Sequence, residues 1–238
     1  MYKKPERLQK ILSAQGITSR RDAERMIIEG RVSVNGVLAT LGQSAVIGQD
    51  LISVDGMEVA INQDKLYIML NKPRGFLTTS RDDRGRKTVM NLVSDLDTRI
   101  YPVGRLDINS EGLLLFTNDG EFANIVTHPS FEKKKVYDVE VLGDAENAAL
   151  QLRQPLEIDG FTVHALNVEL LEVRKTGGVL RITIAEGRNR QVRKMCNTCG
   201  VSVRSLKRIS IGEIELGNLK TGQWRYLCED EVRSVMQK

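Results

Sequence analysis

The sequence predicts an α+β fold in two domains, on three observations. Strand-like apolar segments follow one another from residue 66 to residue 209 without regular alternation with helices, which favours a mostly antiparallel or mixed sheet flanked by helices. The first 60 residues combine two short amphipathic helices with short alternating strands. A polar connection at 61–65 divides these parts, and a chain of 238 residues can give each a core. We therefore expect domains at 5–62 and 65–238.

The composition is that of an ordinary globular protein. Apolar residues make up 41% of the chain, charged residues 28%, and there are 5 prolines, which argues against disorder. No apolar run approaches the roughly 18 residues that a membrane span needs, and the charged start has no apolar signal region behind it. We expect a cytoplasmic protein without a membrane partner, whose 3 cysteines stay reduced.

Two helices open the predicted first domain. The first has apolar side chains at helical spacing over 8–12 and ends at Gly16. The second begins after a Thr18 or Ser19 cap and ends at Gly30. Two alternating segments follow, each broken by an Asn-Gly or Asp-Gly turn, at 32–37 and 52–59.

Basic residues concentrate in two stretches. Residues 1–31 hold eight basic and four acidic side chains, and residues 181–208 hold eight basic side chains against one acid. The net charge of the chain is only +4, so the remainder is acidic. Two basic clusters indicate a polyanionic partner such as nucleic acid, although basic helix faces also occur where only solvent is contacted.

The first domain resembles the small RNA-binding module of the ribosomal S-four type. The matching features are Ser19-Arg20-Arg21, Gly30-Arg31-Val32 and Val34-Asn35-Gly36, which occur in the expected order. The resemblance implies that the helix pair presents basic residues to structured RNA, mainly through shape and phosphate contacts. The residues expected to contact RNA there are Arg20, Arg21, Arg25 and Arg31.

The second domain is predicted to be rich in strands. We expect strands at 66–70, 112–116, 136–141, 163–173, 179–185 and 203–209. We expect helices after Asp119, at 145–152 and at 189–199, and a hairpin tip at 82–88.

Metal, redox and triad chemistry find little support. Cys196 and Cys199 form a C-x-x-C pair, but the chain offers no further ligands at a zinc-like spacing. Their helical spacing with Val192 and Met195 instead favours two thiols facing a core. No phosphate-binding loop or dinucleotide motif is present, and the two histidines lack a serine or cysteine partner.

The stretch GRLDINSEGLLLFTNDGE at 104–121 places a carboxylate, Asp107, just before a fully apolar segment. Such an aspartate is commonly a turn residue, which bonds its own backbone. The alternative is a reactive acid at the rim of a buried sheet. A basic stripe at Arg190, Arg193 and Lys194 follows the turn at 186–188, and an arginine from it could hold such a carboxylate ionised and oriented.

Four motifs in order resemble the RsuA/RluB/RluF-type ribosomal RNA pseudouridine synthases. They are Lys72-Pro73-Arg74-Gly75, the segment from Gly104 to Gly120, Lys135-Val136-Tyr137, and EGRNRQVRKM at 186–195. The resemblance implies isomerisation of uridine in folded RNA: the base is detached at its nitrogen, turned, and rejoined through carbon 5. It implies no metal, nucleotide or other cofactor.

The resemblance also implies roles for individual residues. Asp107 matches the essential aspartate, which attacks either the ribose or the base, and Tyr137 matches a tyrosine that packs on the target base. Arg193 matches the basic residue that pairs with the aspartate, and Arg105 an arginine that enters the space left by the flipped base. Further RNA contacts are expected from Arg188, Arg190 and Lys194. Ser110 departs from the threonine usual in the family.

The expected substrate is a stem-loop of large-subunit (23S) ribosomal RNA, and the expected oligomeric state is a monomer. Two alternatives stay open: a synthase acting on small-subunit (16S) ribosomal RNA, and a non-catalytic RNA-binding protein of ribosome assembly. A carboxylate pair of Asp107 with Glu111 or Asp119, as in glycosidases, is disfavoured because the chain lacks sugar-stacking aromatic residues.

Overall fold

A computed structural model describes residues 4–60 and 64–237, and the chain divides into two compact units. One unit comprises 1–65 with 98–100, and the other comprises 66–97 with 101–238. The predicted connection at 61–65 and the predicted domain ends at 62 and 238 fall partly or wholly outside the described residues. The domain boundaries therefore stay predictions.

The smaller unit is built around the predicted helix pair. Ser19 caps the second helix, and its side-chain oxygen accepts a hydrogen bond from the Asp22 N–H at 3.1 Å. Asn35 and Gly36 both have positive φ, as a two-residue hairpin turn requires. In chain order the elements are β1 (Glu6–Arg7), α1 (Leu8–Ala14), α2 (Arg20–Ile28), β2 (Val32–Val34), β3 (Val37–Leu38), β4 (Ser44–Ala45), β5 (Ile52–Val54) and β6 (Met57–Glu58).

A four-stranded antiparallel sheet of order β3-β2-β5-β6 packs on this helix pair, while β1 pairs with β4. The core of the unit contains apolar side chains from both helices and the sheet, including Leu8, Ile11, Ile27, Val32 and Ile52. The predicted order of helices and turns is therefore confirmed.

The larger unit contains a nine-stranded mixed sheet with helices packed against it. Its strands are β7 (Tyr67–Lys72), β8 (Tyr101–Val103), β9 (Glu111–Thr117), β10 (Lys135–Leu142), β11 (Leu156–Ile158), β12 (Phe161–Val163), β13 (Asn167–Arg174), β14 (Gly177–Ile184), β15 (Ser202–Ile211), β16 (Ile214–Glu215) and β17 (Trp224–Tyr226). Its helices are α3 (Gly120–Thr127), α4 (Ala145–Leu152), α5 (Gln191–Thr198) and α6 (Glu229–Met236), with short 3-10 turns at Val89–Leu92 and Pro129–Phe131. The predicted α+β class is confirmed.

The order of the large sheet places β9 in its interior, beside the middle strand β15. The strands follow as β13-β14-β10-β15-β9-β7-β17, with β8 paired to β9 and β16 to β15, and β11 and β12 form a separate hairpin. β9 pairs in parallel with β15 and antiparallel with β7 and β8. Leu113 to Phe116 are fully buried, which explains why this segment reads as a continuous apolar run.

Four elements differ from the sequence-based expectation. The strand predicted at 163–173 is broken, because β12 ends at Val163 and β13 begins at Asn167. The hairpin tip predicted at 82–88 is wrong: the loop closes at a parallel bridge between Leu77 and Thr88, whereas a hairpin needs antiparallel strands. The helix α6 and the edge strand β17 were not predicted.

Cys196 and Cys199 are both buried, which confirms that these thiols face a core. Burial raises the pKa of Cys196 to about 12, so its thiol is protonated and unreactive near neutral pH. Within the described ranges, every helix is too short or too polar to cross a lipid bilayer.

Candidate active site

The loop before β9 carries Asp107 and is held at every peptide carbonyl from residue 106 to residue 110. Leu106 O accepts from Thr78 Oγ1 at 2.7 Å, and Ile108 O accepts from the Gly75 N–H at 2.8 Å. Within the loop, the Ser110 N–H donates to Asp107 O at 3.0 Å, which closes a turn. The loop is thus fixed by the segment that follows β7. Asp107 is therefore a turn residue, and its role as a reactive acid stays a prediction.

A buried lysine supplies the next hydrogen bonds to this loop. Lys72 is fully buried at the end of β7, and its Nζ donates to Asp107 O at 3.2 Å and Ser110 O at 2.9 Å. A third bond runs to Pro73 O at 3.0 Å. Burial lowers the pKa of Lys72 to about 8, against the opposing charges of Asp107 and Glu111. The ammonium group therefore sits beneath the loop as a cation near the Asp107 carboxylate.

Arg193 completes the support of the loop from α5. Its Nη2 donates to Asn109 O at 2.9 Å and to Ser110 Oγ at 3.5 Å, and its Nη1 donates to Val203 O at 3.4 Å. Burial lowers the pKa of Arg193 below its ordinary value. The hydroxyl of Ser110, which stands in place of the usual threonine, is itself buried and contacts this guanidinium.

The predicted pairing of Arg193 with Asp107 stays a prediction, since the guanidinium lies near the carboxylate without a direct ion pair among the described contacts. The structure pairs Asp107 Oδ2 with Arg190 Nη1 at 3.5 Å, while the guanidinium of Arg193 is engaged by the carbonyls of the loop. The reason is the start of α5: Arg190 is the N-cap residue and has φ of +52°. It therefore does not continue the helical stripe, and its side chain reaches the carboxylate instead.

A close approach of two backbones fixes the far end of the loop. Gly112 has φ of +101°, and a Cβ atom there would lie 2.2 Å from the Arg208 carbonyl oxygen. Only glycine fits, because β9 and β15 meet at this point in parallel register. Arg208 is itself buried, and its Nε donates to Leu113 O at 2.8 Å.

Asp107 lines a cavity of about 160 Å³ within the larger unit. Among the described residues that line it, Asp107 is the only acid. The floor and walls include apolar groups from several elements, among them Val103, Val126 and Ile184. The basic residues of the lining are Arg105, Lys135, Arg188, Arg190 and Arg208. One carboxylate in a strongly cationic cavity matches an anionic substrate such as RNA.

Tyr137 lies in the lining of the same cavity and is 7% exposed. It lies opposite Arg208 in the pairing of β10 with β15 and opposite Ile182 in the pairing of β10 with β14. Lys135, two residues earlier on the same strand face, donates from Nζ to Ala185 O at 3.0 Å. Burial, and secondarily the charge of Arg208, lower the pKa of Lys135 to about 8.

The other basic residues singled out in the sequence have varied positions. Arg105 and Arg188 are exposed and line the cavity, whereas Lys194 forms an ion pair with Asp159 on the β11–β12 hairpin. In the smaller unit all four expected RNA contacts are exposed. Two of them are engaged by acids: Arg25 with Asp22, and Arg31 with Asp55.

Two other acids of the stretch at 104–121, Glu111 and Asp119, have structural partners. Asp119 caps α3, accepting from the Glu121 N–H at 2.9 Å, and also accepts from the Tyr67 hydroxyl at 2.9 Å. Glu111 forms an ion pair with Arg74 at 3.2 Å. Across the described part of the chain, no group of three or more His, Cys, Asp or Glu side chains is arranged to hold a metal ion.

Sequence reasoning missed three contributors to the site. Lys72 and Lys135 lie in recognised motifs, but a lysine is expected on the surface, so the full burial of Lys72 and the partial burial of Lys135 were not anticipated. The available signal for Lys72 was its place at the end of the apolar run of β7, directly before Pro73. No sequence signal marks Arg208 as a residue of the cavity.

Comparison with known proteins identifies the class to which this fold and cavity belong. The family model of RNA pseudouridylate synthase matches residues 66–198, and the S4 domain model matches residues 6–52. The chain belongs to the RNA pseudouridine synthase family and is an enzyme of the isomerase type with an RNA-binding S4 domain. The resemblance stated from the motifs is confirmed.

Individual relatives are similar over nearly their whole length. An uncharacterized RNA pseudouridine synthase of Aquifex aeolicus (strain VF5) is 42% identical over 234 residues, which is 97% of this chain and 94% of the relative. Ribosomal large subunit pseudouridine synthase B of Bacillus subtilis (strain 168) is 41% identical over 233 residues, 97% of this chain and 95% of the relative. A crystal structure of a pseudouridylate synthase aligns with a TM-score of 0.65 at 27% identity, covering 96% of this chain and 99% of that one.

Proposed function

We propose that this enzyme converts uridine to pseudouridine at a defined site of large-subunit ribosomal RNA. The observation that carries the proposal is Asp107, a single carboxylate on a braced loop in a cationic cavity. The similarity to a relative named as a large-subunit enzyme supports the choice of RNA.

Asp107 acts as the nucleophile of the isomerisation. Its carboxylate forms a bond either to the ribose or to the base, the bond between ribose and base nitrogen breaks, and the base turns. Carbon 5 then bonds to the ribose, and the bond between Asp107 and the substrate breaks, which restores the free carboxylate. The proton at carbon 5 leaves, and the freed nitrogen is protonated. Lys72 and Arg193 place two positive charges under the loop and hold its carbonyls, which orients the carboxylate for this attack.

Tyr137 packs on the target base and assists removal of the proton at carbon 5. Its ring is buried in the lining, so its position is fixed before RNA binds. The cavity lies within a folded unit, and a stacked base cannot enter it. We infer that the uridine flips out, at a cost of a few kcal/mol, and that the exposed Arg105 fills the gap.

Two of the three arginines of the EGRNRQVRKM motif, Arg190 and Arg193, have different roles. Arg190 pairs with the carboxylate and lies at the open side of the cavity, where it also meets RNA phosphates. Arg193 positions Asp107 by holding the peptide carbonyl of Asn109. Arg188 and Lys194 extend the basic surface beside them.

The S4 domain anchors the enzyme on a structured stem-loop through Arg20, Arg21, Arg25 and Arg31. The phosphate part of this binding weakens steeply as salt rises. We propose that the enzyme works as a monomer in the cytoplasm, without a cofactor.

The decisive experiment is release of tritium from RNA labelled at carbon 5 of uridine. The unmodified enzyme should release tritium from large-subunit transcripts and not from small-subunit transcripts. Asp107→Asn should abolish release, because an amide cannot form the bond to the substrate. Asp97→Asn, which alters an exposed carboxylate of the same unit, is the matched control and should keep full activity.

Each alternative has its own outcome in this assay. If Asp107→Asn releases tritium at the rate of the unmodified chain, Asp107 is not the nucleophile. Faster tritium release from small-subunit transcripts than from large-subunit transcripts identifies the substrate as small-subunit ribosomal RNA. Binding without any release on either RNA identifies a non-catalytic assembly protein.

A further inference from the structure

The β11–β12 hairpin carries an exposed aromatic ring that neither the fold nor the isomerisation requires. Phe161 is 51% exposed, directly after the turn at Asp159 and Gly160. Single exposed apolar residues are common on protein surfaces and need no explanation by themselves. Phe161 is distinguished by its neighbour: the guanidinium carbon of Arg188 lies 4.1 Å from the ring centroid, and Arg188 lines the cavity that holds Asp107.

Two hydrogen bonds hold Arg188 in its position on this ring. Its Nε donates to Glu186 Oε2 at 2.8 Å, and its backbone N–H donates to Gln191 Oε1 at 3.0 Å. Gln191 is buried and also donates from Nε2 to Glu186 Oε1 at 3.3 Å. The guanidinium is thus partly neutralised and stacked, which reduces its value as a phosphate contact and leaves a flat, oriented surface.

The hairpin is anchored to the element that forms one wall of the cavity. Asp159, at the hairpin turn, forms an ion pair with Lys194 of α5, and β11 packs against α5. Ile158 and Val163 are buried beneath the hairpin, and both turn residues have positive φ, as a tight two-residue turn requires. The ring and the guanidinium therefore have a fixed position relative to the cavity.

We propose that Phe161 and Arg188 form a stacking platform for an unpaired nucleobase that neighbours the uridine in the cavity. RNA loops are recognised by stacking splayed bases on aromatic rings and on guanidinium planes, and this pair presents both at the cavity mouth. The occupant is a base and not a phosphate, because the uncharged ring offers a stacking face and Glu186 partly neutralises the arginine. The proposal rests on the proposed function in one respect, that the cavity accepts a uridine of RNA.

The test uses the full chain and a stem-loop RNA whose uridine-rich loop carries 2-aminopurine next to a uridine. Stacking quenches the fluorescence of 2-aminopurine, so quenching on titration reports the platform directly. A second stem-loop has an abasic residue at the same position. Phe161→Ala should lose the quenching and bind the first RNA roughly tenfold more weakly, with little change for the abasic RNA. Phe161→Trp should restore both.

The controls separate stacking from charge and from misfolding. Leu150→Ala removes an apolar side chain of similar exposure on α4 and should change neither RNA titration. The salt dependence of binding should be the same for Phe161→Ala and the unmodified chain, because no phosphate contact is lost. Equal weakening on both RNAs, or unchanged quenching in Phe161→Ala, overturns the platform.

Failure of the platform and failure of the proposed function give different results. Normal tritium release without quenching by the unmodified chain overturns only the platform. Quenching that depends on Phe161, in a chain that releases no tritium from ribosomal RNA, overturns only the proposed function.

Discussion

Two loops of the synthase unit are held in opposite ways. The loop of Asp107 has five consecutive carbonyls, each of which accepts a hydrogen bond from a residue outside the loop. The loop at 79–87 is held chiefly by its own side chains: Asp82 accepts from the Arg84 and Arg86 N–H groups at 3.1 and 2.9 Å and from the Arg86 guanidinium at 2.6 Å.

The two ways of holding a loop suit two different tasks, a chemical step in one loop and the binding of RNA in the other. A nucleophile must be placed within a fraction of an ångström, so its loop is tied to β7 and α5. A basic surface loop that binds RNA needs a defined shape, which its own side chains can give, but it does not need hydrogen bonds to the core. We expect the exposed basic side chains of the loop at 79–87 to contact RNA. Changes in the two loops should therefore differ in the size of their effect and in the kinetic constant that they alter.

The largest effect is expected from Lys72→Met, which keeps most of the side-chain volume but removes the donor to two carbonyls of the Asp107 loop. Displacement of the carboxylate by about 1 Å is enough to lower kcat on the order of 100-fold. Lys87→Met, an exposed lysine of the second loop, is the matched control and should leave kcat unchanged. Single-turnover tritium release measures both. A kcat for Lys72→Met within about threefold of the unmodified enzyme means that the loop holds its position without this lysine.

An intermediate effect is expected from Arg193→Met, compared with Arg190→Met. Arg193 donates to the carbonyls of Asn109 and Val203, so its loss should lower the free energy of unfolding by about 1–3 kcal/mol as well as slow the reaction. The Arg190 pair with Asp107 is half-exposed, so Arg190→Met should cost less than about 1 kcal/mol of stability. Urea denaturation followed by far-ultraviolet circular dichroism compares them. Equal stability losses contradict the assignment of the support to Arg193.

The smallest effect is expected from Asp82→Ala in the second loop. The change removes the acceptor that orders Arg84 and Arg86, so RNA should bind a few-fold more weakly through a higher KM, with kcat unchanged. Asp83→Ala, which removes only an exposed pair with Arg81, serves as control. Steady-state tritium release at several RNA concentrations separates the two constants, and a drop in kcat for Asp82→Ala assigns this loop to the chemistry.

Local patterns were enough to predict most of the fold. Helix α4 was predicted with its observed bounds of 145–152, because Asp144 caps it and alanines and leucines recur at helical spacing. The interior strand β9 is a continuous apolar run, and the two short turns of the S4 domain are Asn-Gly and Asp-Gly. These features depend on neighbours in the chain.

The elements and contacts that were not predicted depend on residues far away in the chain. Strand β17 is short and only half-buried, and it exists because it pairs with β7 about 150 positions earlier. Lys72 can be buried because its ammonium group donates hydrogen bonds to carbonyls of a loop far away in the chain. No local sequence pattern indicates this contact. The ion pair of Arg190 with Asp107 was not predicted, because the left-handed backbone at residue 190 moves this side chain off the helical stripe.

The pairing of β7 with β17 also sets an order of events during synthesis. The core of the S4 domain lies within residues 8–59, so its contacts are complete early. The sheet that supports Asp107 needs β15 at 202–211 and closes only with β17 at 224–226, and contacts over such long separations form slowly. A growing chain therefore acquires its RNA anchor well before it acquires a working nucleophile. A chain that stops short of residue 224 contains every proposed catalytic side chain but lacks the edge strand that closes the sheet supporting them.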